Sequence, residues 1–472
     1  MPLILPGNVG SATAATGFNV ANSVRFQNAQ LGRTSSSTSA TNIDKYTISV
    51  WVKRSKLGAD QNIISLRASS YYQIYFKSDD TLRWQEYLGG SSKELITNRK
   101  FRDVGAWYHI VCRYDSSLGT AGDRMRIYIN GVEETSFATD ANPDQNANGH
   151  FGVASTLSVI ADNNGDGREY FGYMCEFMGV DGQSLAPTEF GEFDSDNGIW
   201  KPIDISGITQ GVHGFYLKFE DSSDLGVATL GSDWTGAGLA ATDQSTDTCT
   251  NNFATMNPLA LRNNPSAYYV TFSEGNLKVV GNDATNNGNG FSTMGFSSGK
   301  WYCEVKVLSV EGSLYPIIGV VTENSISNGS GNNGIIGQVT SDTVGYANDG
   351  EKVIAGTESS YGDTYTDNDI IGIAIDCDNG AVYFSKNGTF QASGDPTSGA
   401  SKTNAAMTFT PSANYFFGVS AYKSTSDVEF NFGSPPYAIS SGNADGDGHG
   451  NFEFAVPSGY FSLNTKNLAE YG

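Results

Sequence analysis

A short run near residue 162 carries the oxygen-bearing side chains that a hard cation prefers. Asp162, Asn164 and Asp166 alternate along Asp162-Asn-Asn-Gly-Asp-Gly167, which is the spacing at the start of a calcium loop. The Glu expected near the twelfth position of such a loop is missing, and Asn, Asp and Gly are also ordinary turn residues. The run therefore has two interpretations, a calcium site or a polar loop. Asn443-Ala-Asp-Gly-Asp-Gly448 has the same two.

Aromatic side chains beside amides and carboxylates could hold a sugar. An aromatic ring stacks on the apolar C–H face of a sugar, while polar side chains take its hydroxyls. Each residue of this kind also fits a core or sheet-face position, so both interpretations stay open. The candidates are Tyr71, Tyr72, Trp84 and Tyr87 in the first half of the chain, and Tyr346, Asn348, Asp349 and Tyr361 in the second.

The residues that catalysis needs are sparse. Glycoside hydrolysis requires two carboxylates across a cleft, and the nearest pair, Asp376 and Asp378, fits a strand end followed by a turn. The histidines are far apart, which leaves little from which to build a zinc site or a Ser/His/Asp triad. We predict that the protein is not an enzyme and that His109, inside a strand pattern, is a hydrogen-bonded packing residue. The four histidines are His109, His150, His213 and His449.

Alternation of apolar and polar residues predicts the strands that position these candidates. Tyr46, Ile48, Val50 and Val52 share one strand face, and the run 107–114 is bulky on both faces, which predicts that both are covered. Asn130-Gly131 and Asn387-Gly388 each follow such a strand and predict tight hairpin turns. The sequence predicts exposed loops at 140–150, 160–168, 281–292, 323–334 and 391–405.

Composition sets the broad class. With 472 residues, 56 glycines and 12% aromatic residues, the chain is predicted to be all-β and to form two domains. Its formal charge of -22 disfavours nucleic acid and anionic membranes as partners. No apolar run is long enough to span a membrane, and the N-terminal run lacks the basic region of a secretory signal.

The five cysteines are spread singly along the sequence, without a Cys-x-x-Cys motif. Cys112, Cys303 and Cys377 lie inside apolar strand patterns, where a free thiol acts as a small hydrophobic side chain. We expect reduced, buried thiols and assembly in a reducing compartment.

Four motifs in order resemble the laminin-G-like, concanavalin A-like lectin/glucanase superfamily. The resemblance covers about 18–192 and implies a β-sandwich. It also implies calcium binding, which is frequent among such relatives. The Glu-x-Asp-x-x-Glu run of the glucanase members is absent. The motifs are Tyr46-Thr-Ile-Ser-Val-Trp-Val-Lys53, Trp107-Tyr-His-Ile-Val-Cys-Arg-Tyr-Asp115, Met125-Arg-Ile-Tyr-Ile-Asn-Gly-Val132 and Phe171-Gly-Tyr-Met-Cys-Glu-Phe177.

A second set of motifs resembles a SPRY domain over about 265–435, which implies a second two-sheet sandwich. We therefore expect two tandem jelly-roll or lectin-like sandwiches joined by an irregular linker, residues 193–264, that carries a few strands. The motifs include Gly299-Lys-Trp-Tyr-Cys-Glu-Val-Lys306, Asp369-Ile-Ile-Gly-Ile-Ala-Ile-Asp376 and Gly380-Ala-Val-Tyr-Phe-Ser-Lys-Asn-Gly388.

The joining and terminal segments resemble those of laminin-G/SPRY tandem proteins encoded by tailed bacteriophages. The segments are Phe190-Gly-Glu-Phe-Asp-Ser-Asp-Asn-Gly-Ile-Trp-Lys-Pro202 and, in the C-terminal tail 436–472, Val456-Pro-Ser-Gly-Tyr-Phe-Ser-Leu-Asn-Thr-Lys-Asn-Leu468. The resemblance implies a virion surface protein, assembled in the bacterial cytoplasm as a homo-oligomer, by analogy a trimer. Residues 1–17 would be an arm that anchors it to the particle.

Three functions remain open on this basis. The leading one is a tail fibre, spike or head fibre that contacts other virion proteins and binds a host surface glycan or protein through sandwich loops. A decoration or connector protein without a host ligand is the alternative, and a polysaccharide depolymerase is the third.

Overall fold

The computed structural model describes residues 17–66, 71–88, 90–162, 165, 167–260, 269–282, 286–312, 314–328 and 334–472. The chain divides into two compact units. The first unit is Ala15–Thr250, and the second contains Asn251–Gly472. Among the described residues, no helix is long and apolar enough to cross a membrane.

The first unit is built from short antiparallel strands. They are β1 (Ser23–Phe26), β2 (Gln30–Thr34), β3 (Lys45–Arg54), β4 (Gln61–Leu66), β5 (Tyr71–Phe76), β6 (Thr81–Leu88), β7 (Ser91–Lys100), β8 (Trp107–Asp115), β9 (Met125–Ile129), β10 (Val132–Glu133), β11 (Phe137–Ala141), β12 (Leu157–Ile160), β13 (Gly172–Asp181), β14 (Gly191–Phe193), β15 (Trp200–Pro202), β16 (Phe215–Leu217), β17 (Leu230–Gly231), β18 (Thr235–Ala237) and β19 (Gln244–Ser245).

In the described part of this unit, two large sheets form a sandwich. The nine-stranded sheet has the order β10-β9-β8-β3-β13-β1-β19, with β16 beside β13 and β17 beside β16, and the eight-stranded sheet has the order β11-β7-β6-β5-β4-β12-β2-β18. Tyr46, Ile48, Val50 and Val52 of β3 point into the core between them, which confirms the alternation seen in the sequence. The all-β, two-sandwich fold class is therefore correct.

The expected linker is divided between the two units. Residues 193–250 belong to the first unit, where β16 pairs with β13, β18 with β2 and β19 with β1, and residues 251–260 belong to the second. Part of this segment covers the outer face of the nine-stranded sheet, so that Trp51, Trp107 and Trp200 are buried together. This layer explains why both faces of the run 107–114 carry bulky side chains.

The second unit is a smaller set of strands with two short helices. They are β20 (Val270–Ser273), β21 (Lys278–Gly281), β22 (Asn287–Phe291), β23 (Lys300–Ser309), β24 (Ile317–Thr322), α1 (Glu323–Asn328), β25 (Val344–Ala347), β26 (Glu351–Ile354), β27 (Thr357–Ser360), β28 (Ile370–Asp376), β29 (Ala381–Lys386), β30 (Thr389–Phe390), β31 (Met407–Thr408), β32 (Tyr415–Tyr422), β33 (Asp427–Asn431), β34 (Phe461–Ser462) and α2 (Thr465–Tyr471).

Two sheets again enclose a core in the described part of the unit. The larger has the order β20-β21-β33-β23-β28-β29-β30, with β31 beside β29 and β34 beside β23, and the smaller has the order β22-β32-β24-β25-β26-β27. Trp301, Cys303, Val305 and Val307 of β23 point inward. The C-terminal segment packs onto this unit, because Leu463, directly after β34, and Leu468 of α2 belong to the same core.

Two local predictions have opposite outcomes. Both Asn-Gly turns form, since Asn130 and Asn387 have φ values of 49° and 48° and the following glycines 76° and 79°, as a type I′ turn requires. The expected loop at 281–292 is wrong in part, because 287–291 is the strand β22 and pairs with β32. Its glycines allow close packing and hide the strand pattern.

Glu304 holds the C-terminal segment against the outer face of the larger sheet. Its carboxylate accepts the backbone N–H groups of Glu453 at 2.9 Å and Phe454 at 2.8 Å, and the Tyr302 hydroxyl at 3.3 Å. Asn431 donates to it at 3.4 Å. Burial raises the pKa of Glu304 to about 7, in spite of these hydrogen bonds, which lower it.

This pKa predicts a pH-dependent stability of the second unit. The folded-state pKa lies above the unfolded value of about 4.5, so the contribution is fully present below that pH and is lost as the pH rises through about 7. We expect a loss of about 2–3 kcal/mol from Glu304 between pH 4.5 and 8. Glu304→Gln should flatten the curve measured by denaturant unfolding at several pH values. Some dependence of the free energy of unfolding on pH should remain in Glu304→Gln, because burial also raises the pKa values of Asp427 and Glu429. The same dependence in the variant as in the wild type would contradict this role of Glu304.

Candidate functional site

The solvent-facing side of the eight-stranded sheet carries an unusual set of side chains. On β5 and β6, Tyr72, Ile74, Phe76, Leu82 and Trp84 point into the core, so the alternate positions point outward. We call this surface the polar-aromatic face. It consists of Tyr71, Gln73, Arg83, Gln85, Tyr87, Ser92, Glu94 and Arg168, with Tyr75, which is 2% exposed, beneath the guanidinium groups of Arg83 and Arg168.

Tyr71 and Tyr87 form the aromatic part of the face. They are directly opposite each other on β5 and β6, with ring centroids 5.1 Å apart and an interplanar angle of 8°. Both side chains are half-buried, so part of each ring remains open to solvent. Neither hydroxyl has a hydrogen-bond partner among the described residues. The pair is thus a stacking surface bordered by two free hydroxyl groups.

Two amides lie next to this pair on the same strands. Gln73 and Gln85 are also directly opposite each other, and each is 6% exposed at the floor of the face. Gln85 donates from Nε2 to Ser92 Oγ at 2.7 Å, and Gln73 Oε1 accepts from Arg168 Nη1 at 3.2 Å. These contacts fix both side chains, and the Gln73 N–H groups and the Gln85 carbonyl make no hydrogen bond to the described residues.

The charges of the polar-aromatic face are paired. Arg83 donates through Nε to Glu94 at 2.7 Å and makes a second, shorter bond to it through Nη2, while Nη1 contacts the Tyr75 hydroxyl at 2.5 Å. Arg168 lies 5.0 Å from the centroid of the Tyr75 ring, with its Nε 3.7 Å from Asp60. The face can therefore offer stacking and hydrogen bonding with little net charge.

The structure corrects two of the four sugar-binding candidates in this unit. Tyr72 and Trp84 are fully buried in the core, so they cannot stack on a ligand from solvent. Trp84 instead donates to the Tyr46 hydroxyl at 3.2 Å. Tyr46 in turn donates to the buried Glu86, which also contacts His150 Nδ1 at 2.8 Å.

Four residues of the polar-aromatic face were not predicted from the sequence: Gln73, Gln85, Arg83 and Arg168. A signal for the first three was available, since they alternate with core residues on the strands that carry Tyr71 and Tyr87. Arg168 lies outside the strands and had no such signal.

The four candidates in the second unit do not form an open face. Tyr346 is fully buried and donates to the Asp363 carbonyl, so its assignment to a ligand surface was wrong. Tyr361 packs on it at a centroid distance of 5.5 Å and accepts the Phe384 N–H at 3.3 Å. Asn348 is 6% exposed and donates to the Gly312 carbonyl at 3.1 Å, and Asp349 accepts the Glu351 N–H at 3.1 Å. These contacts are those of core and turn residues.

The structure describes one of the three calcium candidates near residue 162. Asn164 and Asp166 lie outside the described residues. Asp162 is 7% exposed, and its carboxylate accepts the Gly165 N–H, three residues on, at 2.9 Å, a local side chain–backbone bond of the kind that Asp makes in loops. Among the described residues, no three His, Cys, Asp or Glu side chains are grouped so that they could hold a metal ion.

His109 is a packing residue, as predicted. It is 1% exposed, contacts Ser49 Oγ at 2.9 Å, and accepts the Trp200 indole N–H at Nδ1, also at 2.9 Å. Burial lowers its pKa to about 3, so the imidazole stays neutral at physiological pH.

Two protein families match separate parts of the chain. Residues 26–182 match a laminin-G family of the concanavalin A-like lectin/glucanases superfamily. Residues 300–435 match the SPRY domain. Each match lies within one of the two structural units, in the order that the sequence motifs indicated.

Several solved structures are similar to parts of the chain. The SPRY domain of human HERC1 is 17% identical, covering 37% of this chain and 96% of its own, with a TM-score of 0.27. A native heptameric SAP-like pentraxin from Limulus polyphemus is 18% identical, covering 41% of this chain and all of its own, also with a TM-score of 0.27. No curated protein sequence matches the chain.

Proposed function

We propose that this chain, which contains a laminin-G-like domain of the concanavalin A-like superfamily followed by a SPRY domain, is a non-catalytic, carbohydrate-binding protein. The observation that carries the proposal is the stacked pair Tyr71 and Tyr87 beside the opposed amides of Gln73 and Gln85. A sugar ring can lie on the aromatic pair while its hydroxyls exchange hydrogen bonds with the amides.

The ligand class that fits this face is a neutral saccharide. Arg83 is neutralised by Glu94 and Arg168 lies near Asp60, so neither guanidinium offers an unpaired charge to a uronate or a sulfate. The formal charge of -22 on the whole chain also opposes the approach of a polyanion. Neutral hexose units in a surface glycan meet both conditions.

The biological setting that we propose is the surface of a tailed-phage particle. The support is the resemblance of residues 190–202 and 456–468 to segments of phage laminin-G/SPRY proteins. In this setting the protein is a fibre or spike, made in the bacterial cytoplasm and assembled with other virion proteins as a homo-oligomer. Several copies would turn weak binding to a host glycan into strong attachment.

A decoration role is the second candidate, and an exposed apolar surface favours it. Val132, Phe193 and Ile199 are 55%, 52% and 44% exposed, and Phe193 packs edge-on against Trp200 at 4.9 Å. Trp200 also lies against Gly131, which places Val132 nearby. A decoration protein should bind particles that lack it and leave adsorption to host cells unchanged, whereas a fibre protein should bind host cells and block infection.

The aromatic pair gives a direct test of glycan binding. Tyr71→Ala and Tyr87→Ala should each weaken binding to immobilised neutral polysaccharides by about tenfold or more, equivalent to ~1.4 kcal/mol, because each removes one stacking surface. Phe193→Ala is the matched control, since it removes an exposed aromatic ring elsewhere in the same unit. If the wild type and the three variants bound the immobilised polysaccharides equally, the polar-aromatic face would be ruled out as the site. Shortening of the bound polysaccharide would contradict the non-catalytic role.

A further inference from the structure

Two thiols of the first unit are in contact. Cys175 on β13 and Cys249 have their Sγ atoms 3.7 Å apart, although the residues are 74 positions apart in the chain. Cys175 is fully buried and Cys249 is partly exposed. The other three cysteines, Cys112, Cys303 and Cys377, are buried.

The surrounding structure sets this distance from both sides. Cys175 lies among Trp51, Tyr173 and Trp200 on the outer face of the nine-stranded sheet. Asp247, two residues before Cys249, pairs with Lys53 at 2.7 Å. Thr250, one residue after it, accepts the Val20 N–H at its hydroxyl at 3.1 Å. The backbone at Cys249 is therefore held in place by the contacts of its chain neighbours and does not belong to an unattached loop.

We infer that Cys175 and Cys249 are a site of oxidative cross-linking, which forms an intramolecular disulfide when the protein meets a low-molecular-weight disulfide such as oxidised glutathione. An S–S bond is about 2.05 Å long, so the sulfur atoms must approach by roughly 1.6 Å. Rotation of the partly exposed Cys249 side chain can supply most of this movement.

The exchange balances in two steps. The Cys249 thiol loses its proton and attacks one sulfur of oxidised glutathione, which breaks that disulfide and releases one glutathione thiolate, which takes up a proton. The Cys175 thiol, after losing its own proton, then attacks the Cys249 sulfur and releases the second glutathione. Two cysteines are oxidised and one glutathione disulfide is reduced to two thiols. Burial raises the pKa of the Cys249 thiol, so the reaction should be slow at neutral pH and faster in alkaline buffer.

The cross-link would fasten the end of the first unit. The chain leaves this unit after Thr250. A force that pulls on the residues after Thr250 therefore acts first on the segment around Cys249. A covalent bond to β13 would pass that tension into a central strand of the sheet, where otherwise β19 and β18 would be peeled away first. The protein would thus gain resistance to force after it leaves a reducing cytoplasm.

Thiol counting on the intact chain tests the inference. The reduced protein should show five thiols in denaturant, and treatment with oxidised glutathione should lower the count to three, with a peptide that links residues 175 and 249 in mass spectrometry. Cys249→Ser should keep its four thiols free of any internal cross-link, and Cys377→Ala, the matched control, should fall from four to two. Five persisting thiols, a disulfide between two chains, or glutathione left on Cys249 without the internal bond would each overturn the inference.

Single-molecule stretching supplies an independent measurement. In the oxidised protein the 74 positions between the two cysteines cannot extend, so the length released on unfolding the first unit should be shorter by about 250 Å. The reduced protein and Cys249→Ser should both release the full length. Equal lengths in the oxidised and reduced wild type would contradict the cross-link.

Discussion

Replacing Asp247 by alanine should lower the free energy of unfolding of the first unit by about 3–5 kcal/mol. Its carboxylate accepts Lys53 Nζ at 2.7 Å and the Trp107 indole N–H at 3.1 Å. The side chains of Lys53 and Asp247 are each 1% exposed. Without the carboxylate, the Lys53 ammonium group would stay buried beside the Tyr173 ring with its main countercharge removed, and this desolvated charge is the source of the cost.

The measurement is denaturant unfolding of the full chain followed by tryptophan fluorescence. Five of the six tryptophans, all but Trp301, lie in the first unit, so the signal reports mainly on that unit. Asp221→Ala is the matched control, because this exposed carboxylate accepts the N–H and the hydroxyl of the neighbouring Ser223, and the change should cost less than about 1 kcal/mol. The double variant Lys53→Met, Asp247→Leu should recover most of the stability, since no unpaired charge remains. A loss below about 1 kcal/mol in Asp247→Ala would show that the pair is dispensable.

The sequence could predict the strands of both units but not this ion pair. The core-facing side of β3 followed from period-two alternation, which depends only on local geometry. Lys53 and Asp247 are 194 positions apart, and Asp247 lies in the segment 193–264, which the resemblance to two tandem domains assigned to a linker. Only the folded chain shows that this stretch is a layer over the nine-stranded sheet.

The candidate site was predicted in part, and its errors have a clear cause. Tyr71 and Tyr72 are adjacent, so they cannot share a face of β5. Tyr72, Ile74 and Phe76 are alternate positions of β5, so all three point into the core. The missing information was the pairing of β5 with β6, which puts Tyr87 opposite Tyr71 and Gln85 opposite Gln73. Register of this kind depends on the turn between the strands and on the whole sheet, and a list of aromatic residues does not contain it.

Asp445→Ala should destabilise the C-terminal part of the second unit by about 3–5 kcal/mol. The carboxylate is 7% exposed and accepts five hydrogen bonds. Oδ1 takes the N–H groups of Asp447 at 3.1 Å and His449 at 2.9 Å. Oδ2 takes the Ser462 N–H at 2.9 Å, the Ser462 hydroxyl at 2.6 Å and the Asn467 amide at 2.8 Å. Its removal leaves these donors without an acceptor and releases β34 and α2 from the loop 443–449.

Hydrogen exchange can locate this effect, because the amides of residues 461–472 should lose protection before the core strands of the unit do. Asp447→Ala is the matched control: it removes a carboxylate two residues away that is exposed and accepts the Tyr471 hydroxyl at 2.9 Å, so protection should be nearly unchanged. The protection of residues 461–472 in Asp445→Asn should lie between that in Asp445→Ala and that in Asp447→Ala. An amide keeps one acceptor oxygen but places an N–H donor against other donors. If the run 443–448 were instead a calcium loop, adding calcium or a chelator would shift the stability of the wild type. Because both carboxylate oxygens of Asp445 already accept N–H and O–H donors, we expect that neither calcium nor a chelator changes the stability of the wild type.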